Sequence, residues 1–550
     1  MGTNSSAEPA GTILDHSEGV FESSPDDVAF TEVHPDPSIL PDGKGTDDVT
    51  FGDLDERANR IANKFAEIGL EKGDGIAYQL PNWVEFPIVN VAAVKAGVVS
   101  SPILPEHRAY EVGFMTNLSE SDLLVIPSTY RSFDHVEMVQ ELVDDGEIDP
   151  EYVVVVGEFE ADDDRFKPFS WLEDAPADPV ESPLELDDLE QLMFTSGTTG
   201  EPKGVRQTVR IGLHQILTPN EEVLQLDDSD VIFAPSPLAH NTGYHYFMRT
   251  GLLTGARVVL FDKWIPPKAL ETIRDEECTF CAGATTFIKD LLDRPEVDDF
   301  ALPNLELFFL AGSPIPRPVV EEAYEQFENL TLSRVWGQTE NGVVTATRRD
   351  DPIEKVASTD GRAVSTNEVT VREHYDGEEI RNEPGKLLMR GKSLMESYHR
   401  RPEITEESFT DDGWFKTGDL AILYDDGYIS IEGREKDIII RGGENISAPE
   451  VEEHALEHPL VQEVAVVAMP DPRLQERPCA YILLTPEGSE DDLDVDSLSA
   501  FLDERGLQRH KHPERIEFVD QFPRTTTGKI QKFELREEEW EDEDRLVGEG

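Results

Sequence analysis

Six short apolar runs constrain the fold more than anything else in the chain: "GIAYQL" (75–80), "DLLVI" (122–126), "YVVVVG" (152–157), "VIFAPS" (231–236), "ARVVLF" (256–261) and "LELFFLAG" (305–312). Each is too short for an ordinary helix. Each is continuous rather than alternating, the pattern of a strand buried on both faces. Segments with helical spacing lie between them. In "TFGDLDERANRIANKFAEIGL" (50–70), Leu54, Ala58, Ile61, Phe65 and Ile68 share one face, and Thr50 with Asp53 has the spacing of a capping box. Strands alternating with helices predict an α/β class, with mixed, largely parallel sheets flanked by helices.

The character changes near 423–437. "DDGYISIEGREKDIII" reads as a turn, a strand and a linker opening a smaller α+β unit, in which "EVAVVAMPD", "CAYILLT" and "RIEFVD" alternate with the helix "SLSAFLDERG". The expected division is a large N-terminal domain over 1–435, irregular over 1–47, and a C-terminal domain over 436–550, a normal domain size. Its end, "REEEWEDED", reads as a solvated helix running into an acidic tail over 537–550.

Charge narrows the class. There are 48 basic and 115 acidic residues, a net charge of -67, spread along the chain rather than gathered in one tail. Periodic apolar segments throughout exclude a disordered acidic activator. The composition points to the cytoplasm of a salt-accumulating halophile: at about 1 M salt the Debye length is only about 3 Å, so self-repulsion is screened. Such a surface repels nucleic acid and anionic membrane. Cys278, Cys281 and Cys479 cannot build a disulfide framework, and the Cys278–Cys281 pair in "CTFCAG" reads as buried strand rather than half of a zinc site. The apolar stretch 88–104 is interrupted by Lys95, so no membrane span is expected. "MGTNSS" fits the myristoylation pattern only loosely, with acidic rather than basic residues after it.

One loop carries chemistry. "FTSGTTGEPKG" (194–204) is not a Walker A sequence, because Glu201-Pro202 separates Gly200 from the lysine. Its ingredients still suit phosphate. Gly197 and Gly200 let backbone approach an anion, the hydroxyls of Thr195, Ser196, Thr198 and Thr199 donate, and Lys203 adds charge. On its own the stretch also has a second, lesser reading as a Gly/Thr surface linker. A second such loop, "PRTTTGK" (523–529), again ends in lysine. Four of only 17 lysines (Lys203, Lys416, Lys436 and Lys529) fall in "FTSGTTGEPKG", "GWFKTGDL", "GREKD" and "PRTTTGK".

With "PLAHNTG" (237–243), "AGSPI" (311–315), "WGQTE" (336–340), "GWFKTGDL" (413–420) and "GREKDIIIRGGENI" (433–446) in that order, the chain resembles the adenylate-forming enzymes over about 48–535. That family includes acyl- and aryl-CoA synthetases, carrier-loading adenylation domains and luciferases. The resemblance implies a two-step reaction. ATP and a carboxylic acid give an acyl-adenylate and pyrophosphate, and a thiol, here coenzyme A, then takes the acyl group. The small domain would be mobile, and the glycine loop would hold the β- and γ-phosphates.

The resemblance also implies residue roles. Glu340 would bind Mg²⁺, a cation suited to one carboxylate plus phosphate oxygens, and Thr339 would touch the α-phosphate. Trp336, where the family usually has Tyr or Phe, would stack beside adenine, with Gly337 next to it and Gly312 and Ser313 forming the adenine-side loop. Asp419 would bind the ribose hydroxyls and Arg434 would reach the nucleotide. Lys529 would be the catalytic lysine bridging carboxylate and α-phosphate. Lys436 would be the hinge, with Gly442 and Gly443 leaving room for the pantetheine arm. His240, Asn241, Tyr244 and Gln338 would line the acid pocket, His240 gating its entrance. "AHN" with "ERPCA" (476–480) tilts the acid toward an aromatic or carbocyclic one. Lys386, Ser397, Gln475 and the Ala448-Pro449 pair depart from the usual pattern, away from the phosphate chemistry. Two other readings stand beside the acid–CoA ligase: an aryl- or acyl-AMP ligase loading a carrier protein's phosphopantetheine, and a non-catalytic nucleotide-binding relative. A monomer and a homodimer are equally compatible with the sequence.

Overall fold

The structure is a computed structural model that describes residues 8–45, 47–195, 202–294, 302–312, 315–442, 444–486, 488–524 and 530–541. All six apolar runs become strands, distributed over two large sheets. One sheet has nine strands, whose central members 28–33, 257–261, 231–234, 280–283, 307–311 and 331–338 run parallel to one another, with antiparallel strands at both edges. The other has seven strands and is parallel except where Leu189–Thr195 pairs with Lys203–Thr208.

The helix Phe51–Glu67 begins at Thr50, whose hydroxyl accepts from the Asp53 amide while the Asp53 carboxylate accepts from the Thr50 amide. Such a cap contributes about 1 kcal/mol. Leu54, Ala58, Ile61 and Phe65 are fully enclosed. The helix Glu85–Ala96 is buried on every side, Lys95 included, and ends at Gly97 in a left-handed conformation. It is a core helix of 12 residues, and among the described residues no helix is long and apolar enough to cross a membrane. Both helices join the largest apolar cluster, with Trp83, Phe86 and Phe247.

Two features depart from the sequence expectations. A four-stranded, wholly antiparallel sheet (367–372, 384–391, 415–423, 429–434) follows the parallel ones. Its strands are half-exposed, and the alternating burial of Phe415–Leu423 left no continuous apolar run to announce them. The C-terminal helix Lys532–Glu541 is not simply solvated. Leu535 is buried, and Glu539 is buried where its carboxylate accepts from Tyr481 and pairs with Arg515. Packing against the strand Gln475–Leu484 overrides the acidic composition of that helix.

The chain changes sheets over three residues. The strand Ile429–Arg434 belongs to the four-stranded sheet, Glu435–Asp437 makes one tight turn, and Ile438–Arg441 opens the last sheet with 444–447, 461–471, 475–484 and 515–518. That last sheet has its own apolar cluster around Ile446, Val466 and Ile482.

Candidate active site

The glycine loop connects two paired strands. Thr195 and Lys203 face each other in the register of 189–195 and 203–208, so both ends of the loop are held 4.7–4.9 Å or so apart by the ladder. Ser196, Gly197, Thr198, Thr199 and Gly200 lie outside the described residues, as do Ser313, Gly443 and Lys529.

Segment 397–399 extends the edge of this hairpin. The His399 amide donates to the Gly204 carbonyl (2.7 Å) and the Arg206 amide to that of Ser397 (3.2 Å). This places the Tyr398 ring 5.1 Å from the Lys203 ammonium and its hydroxyl 2.8 Å from Glu340 Oε1, to which it donates. Burial pushes the Tyr398 hydroxyl well above its ordinary pKa, and the Glu340 carboxylate pushes it further. It therefore stays protonated and remains a donor. The Met395 amide holds the backbone of Glu340 by its carbonyl at 2.7 Å. Tyr398 and its link to Glu340 went unnoticed in the sequence, where nothing in "MESYHRR" ties 398 to 340.

A second cluster forms where the strand Thr331–Gln338 ends. The Trp336 indole Nε1 donates to Asp419 Oδ2 (2.9 Å), Gln338 Nε2 donates to the same oxygen (3.0 Å), and Arg434 Nε lies 2.8 Å from Oδ1. Asp419 and Arg434 are direct partners across the antiparallel ladder. Asp419 is 4% exposed and Trp336 7%, so the carboxylate is desolvated but satisfied by charge-assisted bonds. Gly337 is required here: a Cβ would stand 1.8 Å from the Gly342 carbonyl oxygen. Gly312, with φ of +87°, follows the neighbouring strand 307–311. Of the residues assigned to the acid pocket, Gln338 is thus engaged with the Asp419 cluster.

A third group joins Thr339 to the 237–245 segment. Gln207 Nε2 donates to the Thr339 carbonyl (3.1 Å) and lies 3.5 Å from Asn241 Oδ1, while Gln207 Oε1 bonds His245 Nε2 (3.0 Å). The His240 carbonyl accepts from the Tyr244 amide (2.9 Å), opening a helix that winds as a π-helix over Thr242–Arg249. Tyr244 is fully enclosed, its hydroxyl accepting from Asn90 Nδ2 at 2.7 Å. Burial holds His245 well below its usual pKa, with the Arg249 charge acting the same way, so its ring is neutral. Gln207 and His245 were missed in the sequence, since neither stands in a recognisable motif.

Lys436 lies in the tight turn between sheets. Burial holds its ammonium below the usual lysine range; Asp437 opposes this, while Arg434, Arg536 and Lys203 reinforce it. Gly442 has φ of +62° and donates its amide to the Leu474 carbonyl (2.7 Å). Among the described residues no cluster of three or more His, Cys, Asp or Glu could hold a metal. Mg²⁺ does not need one: it takes one or two carboxylates and completes its shell with phosphate and water. Glu340, aimed by Tyr398 and near the Lys203 end of the glycine loop, fits that pattern. Cys278, Cys281 and Cys479 are buried thiols pushed upward by desolvation and take no part in the site.

Comparison with known proteins matches residues 20–399 to the AMP-binding enzyme family model and 450–529 to the AMP-binding enzyme C-terminal domain. The chain is 34% identical to the medium-chain fatty-acid–CoA ligase of Escherichia coli (strain K12), over 92% of this chain and 88% of that enzyme. It is 35% identical to the 2,3-dihydroxybenzoate-AMP ligase of Bacillus subtilis (strain 168), over 89% of this chain and 88% of that one. Among solved structures, an anthranilate CoA ligase in complex with anthranoyl-AMP superposes with a TM-score of 0.86 at 25% identity, covering 98% of this chain and 99% of the other.

Proposed function

The chain belongs to the AMP-binding enzyme family, and we infer that it works as an ATP-dependent, AMP-forming carboxylic acid–CoA ligase. The observation that carries this reading is the assembly, around the glycine-loop hairpin, of a satisfied buried carboxylate (Asp419), a tyrosine-aimed carboxylate (Glu340) and the cations Lys203, Arg434 and Lys436. An ionised carboxylate has about four lone-pair sites, so Asp419 can accept from ribose hydroxyls beside its protein donors, and the cations suit a triphosphate.

In the first step a carboxylate oxygen attacks the α-phosphorus, the bond to the β-phosphate oxygen breaks, and pyrophosphate leaves with its electron pair. Lys203 and the glycine loop neutralise the leaving group, and the Lys529 ammonium offsets charge between the two reacting anions, where removal from water makes such stabilisation large. Thr339 contacts the α-phosphate. Bound Mg²⁺ would be held by Glu340 and would supply charge neutralisation on the phosphates. Trp336 and Gly337 border the adenine, Gly312 and Ser313 belong to the adenine-side loop, and Asp419 with Arg434 holds the ribose side. In the second step the CoA sulfur attacks the acyl carbonyl, its proton is lost, and AMP departs. The division at 435/436 makes Lys436 the pivot between the two steps, Gly442 and Gly443 leaving space for the pantetheine arm. His240, Asn241 and Tyr244 border the acid.

The relatives divide between CoA ligases and AMP ligases. CoA is the acceptor favoured here, a carrier-protein phosphopantetheine the alternative; the acceptors differ in the second step alone. The acidic composition supports a halophilic, cytoplasmic setting. The test is release of AMP and pyrophosphate in molar KCl with Mg-ATP, across aliphatic, carbocyclic and hydroxylated aromatic acids, with and without CoA. Turnover that requires one acid class and CoA supports the ligase. Adenylate that CoA cannot discharge moves the assignment to a carrier-loading enzyme. Lys529→Ala should abolish adenylation while transfer from supplied acyl-adenylate survives.

A further inference from the structure

In a chain with 115 acidic residues, a described lysine or arginine usually has a carboxylate within ion-pair distance. Lys203, Lys436 and Arg536 have none among the described residues, yet Lys203 and Arg536 both act electrostatically on Lys436, and Arg536 Nη1 lies 3.2 Å from the Lys436 carbonyl. They come from three separate places: the strand after the glycine loop, the turn between sheets, and the C-terminal helix. Like charges gathered this way repel one another. A cation cluster with no carboxylate partner among the described residues is suited to an anion that arrives from outside.

Arg536 is the member that no motif announces. Its one polar bond among the described residues runs from Nη1 to the Lys436 carbonyl at 3.2 Å. A guanidinium carries five donors in a planar fork, so most of them stay available. The half-buried side chain shares a pocket with Lys436, Lys532 and the exposed ring of Phe533. The acidic neighbours there are engaged otherwise. Glu452 neutralises Lys532 at 2.7 Å, Glu476 accepts from the Ile440 amide at 2.6 Å, and Asp437 is the sequence neighbour whose pull on Lys436 is outweighed.

We propose that Arg536 is a further phosphate-binding residue, which joins Lys436 and Lys203 in holding phosphate oxygens of a nucleotide co-substrate. The proposal rests on the ligase reading for the presence of such a co-substrate. Its chemistry is phosphate oxyanion recognition, and two sources carry it: the phosphates of ATP and those of CoA.

The test uses full-length Arg536→Ala, Arg536→Lys and, as a control for charge removal on the same unit, Arg509→Ala, whose side chain is exposed and paired with Asp503. Calorimetric binding of Mg-ATP and of CoA is measured at fixed KCl, beside KM, kcat and thermal stability. Losing a hydrogen bond to a charged group should weaken one of the two ligands about tenfold or more. Arg536→Lys should recover part of that loss, kcat should change far less than KM, and Arg509→Ala should behave as wild type. Selective weakening of ATP names the triphosphate as the anion; selective weakening of CoA names the coenzyme. Unchanged affinity for both, or equal loss in Arg536→Ala and Arg536→Lys together with lowered stability, overturns the proposal in favour of a structural tie to the Lys436 carbonyl. A wild-type protein that binds ATP yet forms no AMP defeats the ligase reading, while the binding arm still decides Arg536. A wild type that binds neither ligand overturns both.

Discussion

The indole nitrogen of Trp336 donates to Asp419 Oδ2 across 2.9 Å, from a strand of the nine-stranded sheet to one of the antiparallel sheet. With Gln338 on the same oxygen and Arg434 on the other, the carboxylate is fixed in orientation before any nucleoside arrives. An aromatic that can donate does something at 336 that phenylalanine cannot.

Trp336→Phe should therefore keep an aromatic ring at 336 and lose one bond to a buried charge, a change of roughly 1.5–3 kcal/mol. The expected result is a KM for ATP raised about tenfold, with the KM for the acid unchanged. Steady-state kinetics at saturating acid checks it. An unchanged KM for ATP would mean that Asp419 does not depend on Trp336 for its alignment.

Tyr398 aims Glu340 in the same way. Because burial and the adjacent carboxylate keep its hydroxyl protonated, Tyr398→Phe removes a permanent donor while preserving the ring beside Lys203. The Mg²⁺ concentration for half-maximal adenylation should rise about tenfold or more in Tyr398→Phe, on the scale of one hydrogen bond to a charged group at about 1.5–3 kcal/mol, and rise further in Glu340→Gln. A Mg²⁺ titration of pyrophosphate release reads both. Equal dependence in all three proteins would remove Glu340 from the metal.

What the sequence made legible was whatever a local pattern could carry. Six apolar runs became strands because each is buried on both faces, and Thr50 with Asp53 formed the cap that their spacing promised. The helix and strands of the last sheet were equally plain. The antiparallel sheet was not, because its strands alternate and their apolar halves meet only in three dimensions. Tyr398 and Gln207 were invisible for a related reason. Each acts through a partner more than fifty residues away (Glu340 and Thr339), and no spacing within a motif encodes such a contact. Arg536 was read only as the start of a solvated helix leading into the acidic tail.

Arg249 and Glu190 form a fully buried ion pair beneath the π-helix 242–249. Two of the guanidinium nitrogens, Nε and Nη1, have no hydrogen-bond partner among the described residues. Glycine at 212 leaves the guanidinium its space, for a Cβ there would stand 2.7 Å from Nη1. Breaking such a pair leaves an isolated buried charge at about 3–5 kcal/mol, whereas replacing both members with apolar groups is far milder. Glu190→Leu alone should lower the denaturation midpoint strongly, and Glu190→Leu with Arg249→Met should recover most of the loss. Chemical denaturation at constant KCl distinguishes the two. A double variant no better than the single one would show that the pair organises the helix through its geometry rather than its charge.

His34 is held between two carboxylates, with Nδ1 2.7 Å from Asp262 and Nε2 3.3 Å from Glu32, inside a cluster that also contains Lys44 and Glu85. Burial alone would lower its pKa; the bonds to Asp262 and Glu32 outweigh burial and raise it to about 9. The folded value lies above the ordinary 6.5, so the folded state binds the proton more tightly than the unfolded chain. The stabilisation is complete below about pH 6.5 and is lost as pH rises through about 9. Glu32 is held below the usual carboxylate range despite burial, by His34 and Lys44, and Lys44 lies above the usual lysine range despite burial, through Glu85 and Glu32. Neither changes charge in that window. Thermal midpoints of the wild type should therefore fall between pH 6.5 and 9 at fixed KCl, and His34→Gln should remove that part of the slope while being less stable at pH 6. The comparison isolates His34 from Glu85, whose carboxyl is pushed upward by burial. Identical slopes in the two proteins would show that the His34 proton is not what holds Glu32 and Asp262 together.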